Sequence, residues 1–422
     1  MKRSVVLLLL AALLAGCGSG AKDDASGPVE VVWWHGQVES QAEVLKKLTA
    51  EYNAAHPDVK IVAAVGTTNV DDMLQKVQAA LAGGKAPDIA YMYGSWMAHL
   101  AKSPQVYDLT STVKDPAFGW DDFWPPERAV SEVDGKVVGI PAVVDNLAVI
   151  YNKKLFDAAG VPYPSADWTW DDFRATAAKL TRDGVYGTAY PVAGGEDTVW
   201  RFWPQLWQQG GSILSQDGRK SAFNTPQAVQ ALDLWGAMAR QDKSVYLDQN
   251  GEKFLPLFQS GKVGMIIAGP WALFDVIGHK VSYGVQVMPG HAGNHETVAG
   301  PDNWVVFDNG DRRAKAAAAF LTWLTRPEQD ARWSLGLGNL PLRKATMALP
   351  AYKKFTEDFP DVDVFTENLD NAKQARPAVQ AYPELSEKVG DAVASVLVGG
   401  TPAAEALATA ARESDRILEK SR

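Results

Sequence analysis

The apolar run VEVVWW, Val29 to Trp34, has the length and continuity of a buried strand. Ser40 to His56 places Val44, Leu45, Leu48, Tyr52 and Ala55 on one helical face and stops at Pro57. VKIVAAV (Val59 to Val65) is strand-like again, and Met73, Leu74, Val77 and Leu81 mark the inner face of a second helix. After Pro87 and Asp88 the run IAYMY is a third strand. This alternation predicts a parallel α/β layer. Ligands of such sheets sit beyond the carboxyl ends of the strands. That gathers His35, Gly36, Gln37 and Glu39, after the first strand, and Tyr91 to Trp96, after the third, at one mouth.

Further on, the runs Val137 to Ile140 and Leu147 to Ile150 read as two strands flanking the polar pair Asp145 and Asn146. Lys153 to Ala159 is a short helix closed by Gly160. Thr169 caps the next, with Asp172 three residues on. The aromatic segment DTVWRFWPQLWQQGG follows, then a helix from Thr225 with Pro226 in its first turn. KVGMIIAGPWALF is a buried strand running into Gly269, Pro270 and Trp271 at a helix start. Gly290 to Asn303 turns to Gly, Asn and Pro, where the chain is expected to cross back, and AGPDNWVVF returns a strand. Lys315 to Thr325 is an alanine-rich helix, NLPLRK a further crossing, and TPAAEALATAARESDRIL a capped helix. No internal repeat is visible.

The N-terminus adds a different pattern: a basic start at Lys2 and Arg3, an apolar core from Val5 to Leu14, and small residues before Cys17. That is the layout of a secretory signal, too short for a permanent span. The segment LLAGC resembles the bacterial lipobox, which implies cleavage before Cys17 and its acylation. Cys17 is the single cysteine among 422 residues, so no disulfide framework exists. Residues 18–28 read as a flexible tether. Loss of Lys2 and Arg3 moves the formal charge from −9 to about −11. A balance this acidic argues against nucleic acid. The length and the 46% hydrophobic content suit two domains, each with its own core.

Taken in order, YNKKLFDAAGVP, WTWDDF, GPWALF, an alanine-rich helix followed by TRPEQ, and LPLRK are similar to the bacterial extracellular solute-binding proteins of the maltose-binding class. No single piece is diagnostic; their order and spacing over the mature chain carry the resemblance. It implies an α/β, two-lobed periplasmic-binding-protein fold of class II type, each lobe a mixed sheet flanked by helices, with three hinge crossings. The implied division is a signal peptide 1–16, a lipidated tether 17–28, an N-lobe 29–139 plus 300–340 and a C-lobe 140–299 plus 341–422. It further implies a substrate-binding lipoprotein of an ABC importer that captures a di- or oligosaccharide between the lobes. Its partners would be the sugar, the permease subunits and the membrane, reached through the lipid anchor. The chain would be a monomer with no metal, no cofactor and no catalytic activity.

The residues leave enzyme readings little support. There is no phosphate loop and no GxGxxG after a strand. His291, His295 and Glu296 are close in sequence, but Gly290, Gly293 and Asn294 break any helix that would align them on a metal. Carboxylates are plentiful without one pair standing out, so an anchored carbohydrate-active enzyme stays as the alternative. The same fold holding a phosphorylated or other anionic solute is a second. The positive signal is fifteen tryptophans, many beside glycine, proline or polar residues. A flat indole with an edge donor suits a sugar ring. Trp203, Trp207, Trp235, Trp323 and Trp333 lie on predicted helices and read as core.

Carried over by resemblance, the ligand candidates are Gln37 and Glu39 after the first strand and Tyr93, Ser95 and Trp96 after the third. Ser95 stands where relatives often have an acid. Asp145 precedes the YN pair, Trp200 lies upstream of a Gly pair, and Trp271 in GPW matches a stacking position. Asn303 and Trp304 stand at the return crossing. Arg343 and Arg376 are donors for hydroxyls or a carboxylate, with surface ion pairing as the plainer reading. Tyr382 is close to a third aromatic position.

Overall fold

A computed structural model describes residues 27–37, 39–67 and 70–421; the leader, Cys17 and most of the tether lie outside the described residues. The strands are β1 (Val29–His35), β2 (Val59–Val65), β3 (Ile89–Tyr93), β4 (Glu132–Val133), β5 (Lys136–Val137), β6 (Ile140–Val143), β7 (Ala148–Asn152), β8 (Tyr186–Pro191), β9 (Val245–Asp248), β10 (Val263–Ala268), β11 (Tyr283–Gln286) and β12 (Asp302–Val306). They make two five-stranded sheets, ordered β2-β1-β3-β12-β6 and β11-β7-β10-β8-β9, and a small β4-β5 ladder.

The first sheet is parallel across β2, β1 and β3, while β12 runs antiparallel to both β3 and β6. β1 is not buried on both sides: Val31, Trp33 and His35 point inward and alternate with half-buried Val32 and Trp34. The helix Glu39–Ala55 covers the sheet with Leu45, Leu48 and Tyr52, and Ala55 is left exposed at its end. Trp33, Trp304 and Trp333 meet in the middle of this lobe, Trp33 edge-on to Trp304 with centroids 4.9 Å apart. Each such aromatic pair adds about 0.5–1.5 kcal/mol beyond the area it buries.

In the second sheet β8 is parallel to β9 and β10, and β7 is antiparallel to β10 and β11. The local signals act as their chemistry dictates. Gly160 closes the helix Lys153–Ala159 at φ 64°, and Thr169 and Asp172 form a reciprocal capping box. Thr225 caps the helix Pro226–Arg240. The alanine-rich helix starts earlier than its apolar pattern, at Asp311, whose carboxylate suits the first turn. The C-terminal helix Ala403–Lys420 has Pro402 at its N-cap and no side-chain cap, unlike the expectation. It packs with the helix Tyr382–Leu397 in the second core, beside Trp203, Trp207 and Trp235.

The crossings lie side by side. The amide N–H of Leu340 donates to Val144 O at 3.1 Å and that of Gly300 to Asp145 O at 3.1 Å. β6 pairs with β12, so the chain leaves the first sheet after Val143, a few residues beyond the expected boundary at 139. The third crossing is also later than residue 340. Arg343 is still anchored on Phe118 and Gly119 of the first lobe, whereas Phe359, after the helix Pro350–Asp358, already rests on Phe274 beside the second sheet. Asn146 is held by an amide chain: its Nδ2 donates to Phe365 O (2.8 Å), and Asn368 Nδ2 donates back to its Oδ1 (2.8 Å).

Candidate functional site

Adjacent residues of an extended crossing face opposite ways. With Asn146 tied into the second lobe, Asp145 is directed at the seam between the lobes. It is buried, and its Oδ1 has no hydrogen-bond partner. Gly300 crosses directly against it; a Cβ there would sit 2.2 Å from Asp145 Oδ1 and 3.0 Å from the Trp200 ring. Only glycine lets the two crossings come this close.

The first lobe contributes one wall. Asp302, at the start of β12, accepts from Tyr91 Oη (2.5 Å) and Gly94 N (3.4 Å). Asn303 Oδ1 accepts from Ser131 Oγ at 2.6 Å, leaving Asn303 Nδ2 unpaired. Ser95 Oγ is buried and unpaired in the turn after β3. Glu127, on the helix Pro125–Ser131, is buried with Oε2 unpaired. The second lobe supplies the facing wall. Arg376 Nη1 donates to Glu196 Oε1 at 2.8 Å, and Tyr382 Oη donates to the same oxygen at 3.2 Å while accepting from Trp203 Nε1. Arg376 lies over the Trp200 ring, 5.6 Å from its centroid, and Trp200 stacks on Trp271 at 5.7 Å and 20°.

Four carboxyl groups, Glu127, Asp145, Glu196 and Asp302, thus share the seam with one guanidinium. Burial pushes Glu127 and Asp145 well above the usual carboxylate range, and neighbouring carboxylates add to it, Asp145 acting on Glu127 and Asp302 on Asp145. Burial raises Asp302 to about 6 against the opposing pull of Arg376. For Arg376 burial alone would ease proton loss; Glu196, Tyr382 and Asp302 outweigh it and hold the proton more tightly. Ser95 Oγ, Trp200 Nε1, Asn303 Nδ2 and Arg376 Nη2 are buried donors without partners, and Glu127 Oε2, Asp145 Oδ1 and Glu196 Oε2 buried acceptors without partners. Mixed donors and acceptors beside a stacked indole pair are what a polyhydroxylated ring needs.

The predicted residues divide sharply. Asp145, Trp200 and Arg376 come together, with half-exposed Trp271 stacked at their edge, while Asn303 is tied to Ser131 and Ser95 is buried in the turn after β3. Gln37 Oε1 is buried and unpaired near the mouth at β1, close in sequence to unpaired His35 Nδ1, and burial lowers His35 to about 4. Tyr93 is half-buried against Trp96. Glu39 opens its helix, and its side chain lies outside the described residues.

Others move to the core. Trp304 is wholly buried against Trp33, Tyr91 and Trp333, deeper along β12 than Asp302 at the strand's start. Trp96 packs with Met73, Met92 and Met97. Arg343 is neither a ligand group nor a surface ion pair. It is buried, donating to the carbonyls of Thr325, Gly119 (2.8 Å) and Phe118 (2.8 Å), and it lies 4.0 Å over Phe123. Tyr382 is fully buried and serves the seam through Glu196. His295 Nδ1 donates to Met288 O (2.8 Å), and among the described residues no group of three His, Cys, Asp or Glu could hold a metal ion. Glu127, Glu196 and Asp302 are absent from the sequence-based set. The first two read as acids in a helical first turn and the third as the opening of a strand, so nothing local marked them.

Comparison with known proteins now bears on this geometry. A family profile described as bacterial extracellular solute-binding protein matches residues 47–375. The chain belongs to that family. The solute-binding protein shares 26% identity with the sn-glycerol-3-phosphate-binding periplasmic protein UgpB of Yersinia enterocolitica, over 94% of each chain. It is also similar to the cyclic alpha-maltosyl-1,6-maltose binding protein of Arthrobacter globiformis, with 28% identity, a TM-score of 0.76, and 93% and 100% of the two chains covered. The substrate-binding protein Lmo0181 of Listeria monocytogenes, solved with cycloalternan, matches at 27% identity and a TM-score of 0.84, covering 93% and 99%. The solute-binding protein is therefore a two-lobed, extracytoplasmic component of ABC transport for sugars or related solutes, one that works with permease subunits. Its family and structural neighbours are binding proteins rather than enzymes. Among the described residues no helix is long and apolar enough to cross a membrane.

Proposed function

We propose that the protein captures a neutral di- or oligosaccharide between its lobes and presents it to a membrane permease, while Cys17 tethers it by lipid at the outer side of the membrane as a monomer. The observation that carries this reading is the set of unpaired donors and acceptors, drawn from both lobes and one crossing, beside the Trp200–Trp271 stack. Hydroxyls can donate to Asp145 and Glu196 and accept from Arg376, Asn303 and Trp200. Because both walls take part, ligand favours the closed arrangement by its differential affinity.

A UgpB relative raises the alternative of a phosphorylated solute. Four carboxyls against one guanidinium, already engaged by Glu196, oppose an anion. The nearness of Asp145 and Asp302, both with raised pKa, also keeps a carbohydrate-active enzyme in view as a second reading. Thermal unfolding of the full chain with maltose, maltotriose, trehalose or sn-glycerol 3-phosphate tests the proposal. A neutral sugar at one hundred times its Kd adds about 2.7 kcal/mol of stability. Stabilisation by the glycerol phosphate alone, or release of reducing ends during incubation with the sugars, would overturn it.

A further inference from the structure

Glu127 stands where a carboxylate has no reason to keep its charge. It is 2% exposed and Oε2 has no partner. The charged groups facing it are Asp145 from the first crossing, Asp302 from β12 and Arg376 from the second lobe. Two of these are acids, and the one cation donates at 2.8 Å to Glu196 on its own lobe. Arg128, next along the helix, sends Nη1 outward to exposed Asp121 at 2.5 Å. Beyond these, Ser131 Oγ on the following turn lies between Glu127 O (2.9 Å) and Asn303 Oδ1 (2.6 Å) and spends its one proton there, so it too leaves the carboxyl alone. An ionised Glu127 would place a further negative charge beside two acids in a seam sealed from water. As the acid it becomes a donor to a ligand oxygen.

We propose that Glu127 is a specificity-determining ligand contact that meets its sugar as the un-ionised acid, donating to a ligand oxygen, so that closing the seam over a neutral sugar takes up a proton. This rests on the sugar-binding reading. The sign follows from linkage. An open, hydrated cleft would leave Glu127 at a lower pKa than the closed seam, where burial lifts it. Between the two values the closed complex carries the extra proton, so affinity rises as pH falls, by up to about tenfold per pH unit for one proton.

Calorimetric titration of the full chain with maltose and with maltotriose, at pH 6 and pH 8 and in two buffers of different ionisation enthalpy, reads the proton directly. Wild type should bind more tightly at pH 6 and take up protons. Glu127→Gln keeps shape and a donor, so it should bind within about threefold of wild type at pH 6 and lose about one proton of uptake. Glu127→Ala should bind at least tenfold more weakly. If the Gln variant is as impaired as the Ala variant, or uptake is unchanged, the assignment falls. If neither sugar binds wild type, the sugar-binding reading and the proposed contact fail together; if a sugar binds with no proton uptake, the Glu127 assignment alone falls.

Discussion

Replacing Arg376 with Met removes the guanidinium from the seam and keeps the stem's bulk. Arg376 and Glu196 have side-chain exposures of only 5% and 4%, so neither charge is served by bulk water. Breaking one side of such a pair costs about 3–5 kcal/mol. Tyr382 continues to donate to Glu196 at 3.2 Å, which sets the expected loss near the lower bound, about 3 kcal/mol at pH 8. The loss must depend on pH. Arg376 pulls the pKa of Glu127, Asp145 and Asp302 downward, and without it all three rise further. A group whose folded pKa lies above its unfolded value adds stability below the unfolded pKa and loses it as pH rises through the folded one. The variant should therefore recover part of the loss between pH 8 and pH 5, where Asp302 at about 6 already titrates in the parent. Urea unfolding followed by circular dichroism at pH 5, 6.5 and 8 gives the numbers. A destabilisation under about 1 kcal/mol at pH 8, or one that grows on acidification, would refute the seam electrostatics.

Trp271→Ala removes a half-exposed ring from the Trp200 stack, so maltose or maltotriose binding by calorimetry should weaken at least about tenfold while unfolding changes by less than about 2 kcal/mol. Asp145→Asn takes one acid from the cluster without changing its shape; sugar affinity should fall, and thermal stability at pH 8 should hold or rise because Asp302 loses a repelling neighbour. Arg343→Ala should destabilise by at least about 3 kcal/mol in urea unfolding, since three carbonyls, two of them buried, lose a charged donor together, with sugar affinity of the folded fraction unchanged. Cys17→Ser should move the protein from the membrane to the soluble fraction on cell fractionation.

Much of the fold was readable from residue order. Strand-length apolar runs, Gly160 and the Thr169–Asp172 and Thr225 caps act within a few residues, so they need no tertiary context. Those signals marked β1, β2, β3, β7, β10 and β12, whereas β8, β9 and β11 went unread and the run Val137 to Ile140 straddles β5 and β6; Asp145 stood out because a polar pair between two apolar runs has few structural excuses. Boundaries slipped where pairing decided them: β6 belongs to the first sheet because β12, far along the chain, lies beside it.

Which polar and aromatic residues face the seam was decided by the tertiary structure alone. Arg343 and Arg376 are the same residue type in similarly loop-like sequence. One is spent on backbone carbonyls around Phe118 and the other is left with a free nitrogen over Trp200. Trp304 and Trp271 part in the same way, into the core and onto the seam. Glu127 and Glu196 carry the ordinary signature of helix-start acids, and what sets them apart is the company brought by distant segments. Charge, burial and unpaired atoms are sums over neighbours in space. Local sequence holds the backbone's preferences, whereas the electrostatics of a shared cleft exist only once two lobes have closed on it.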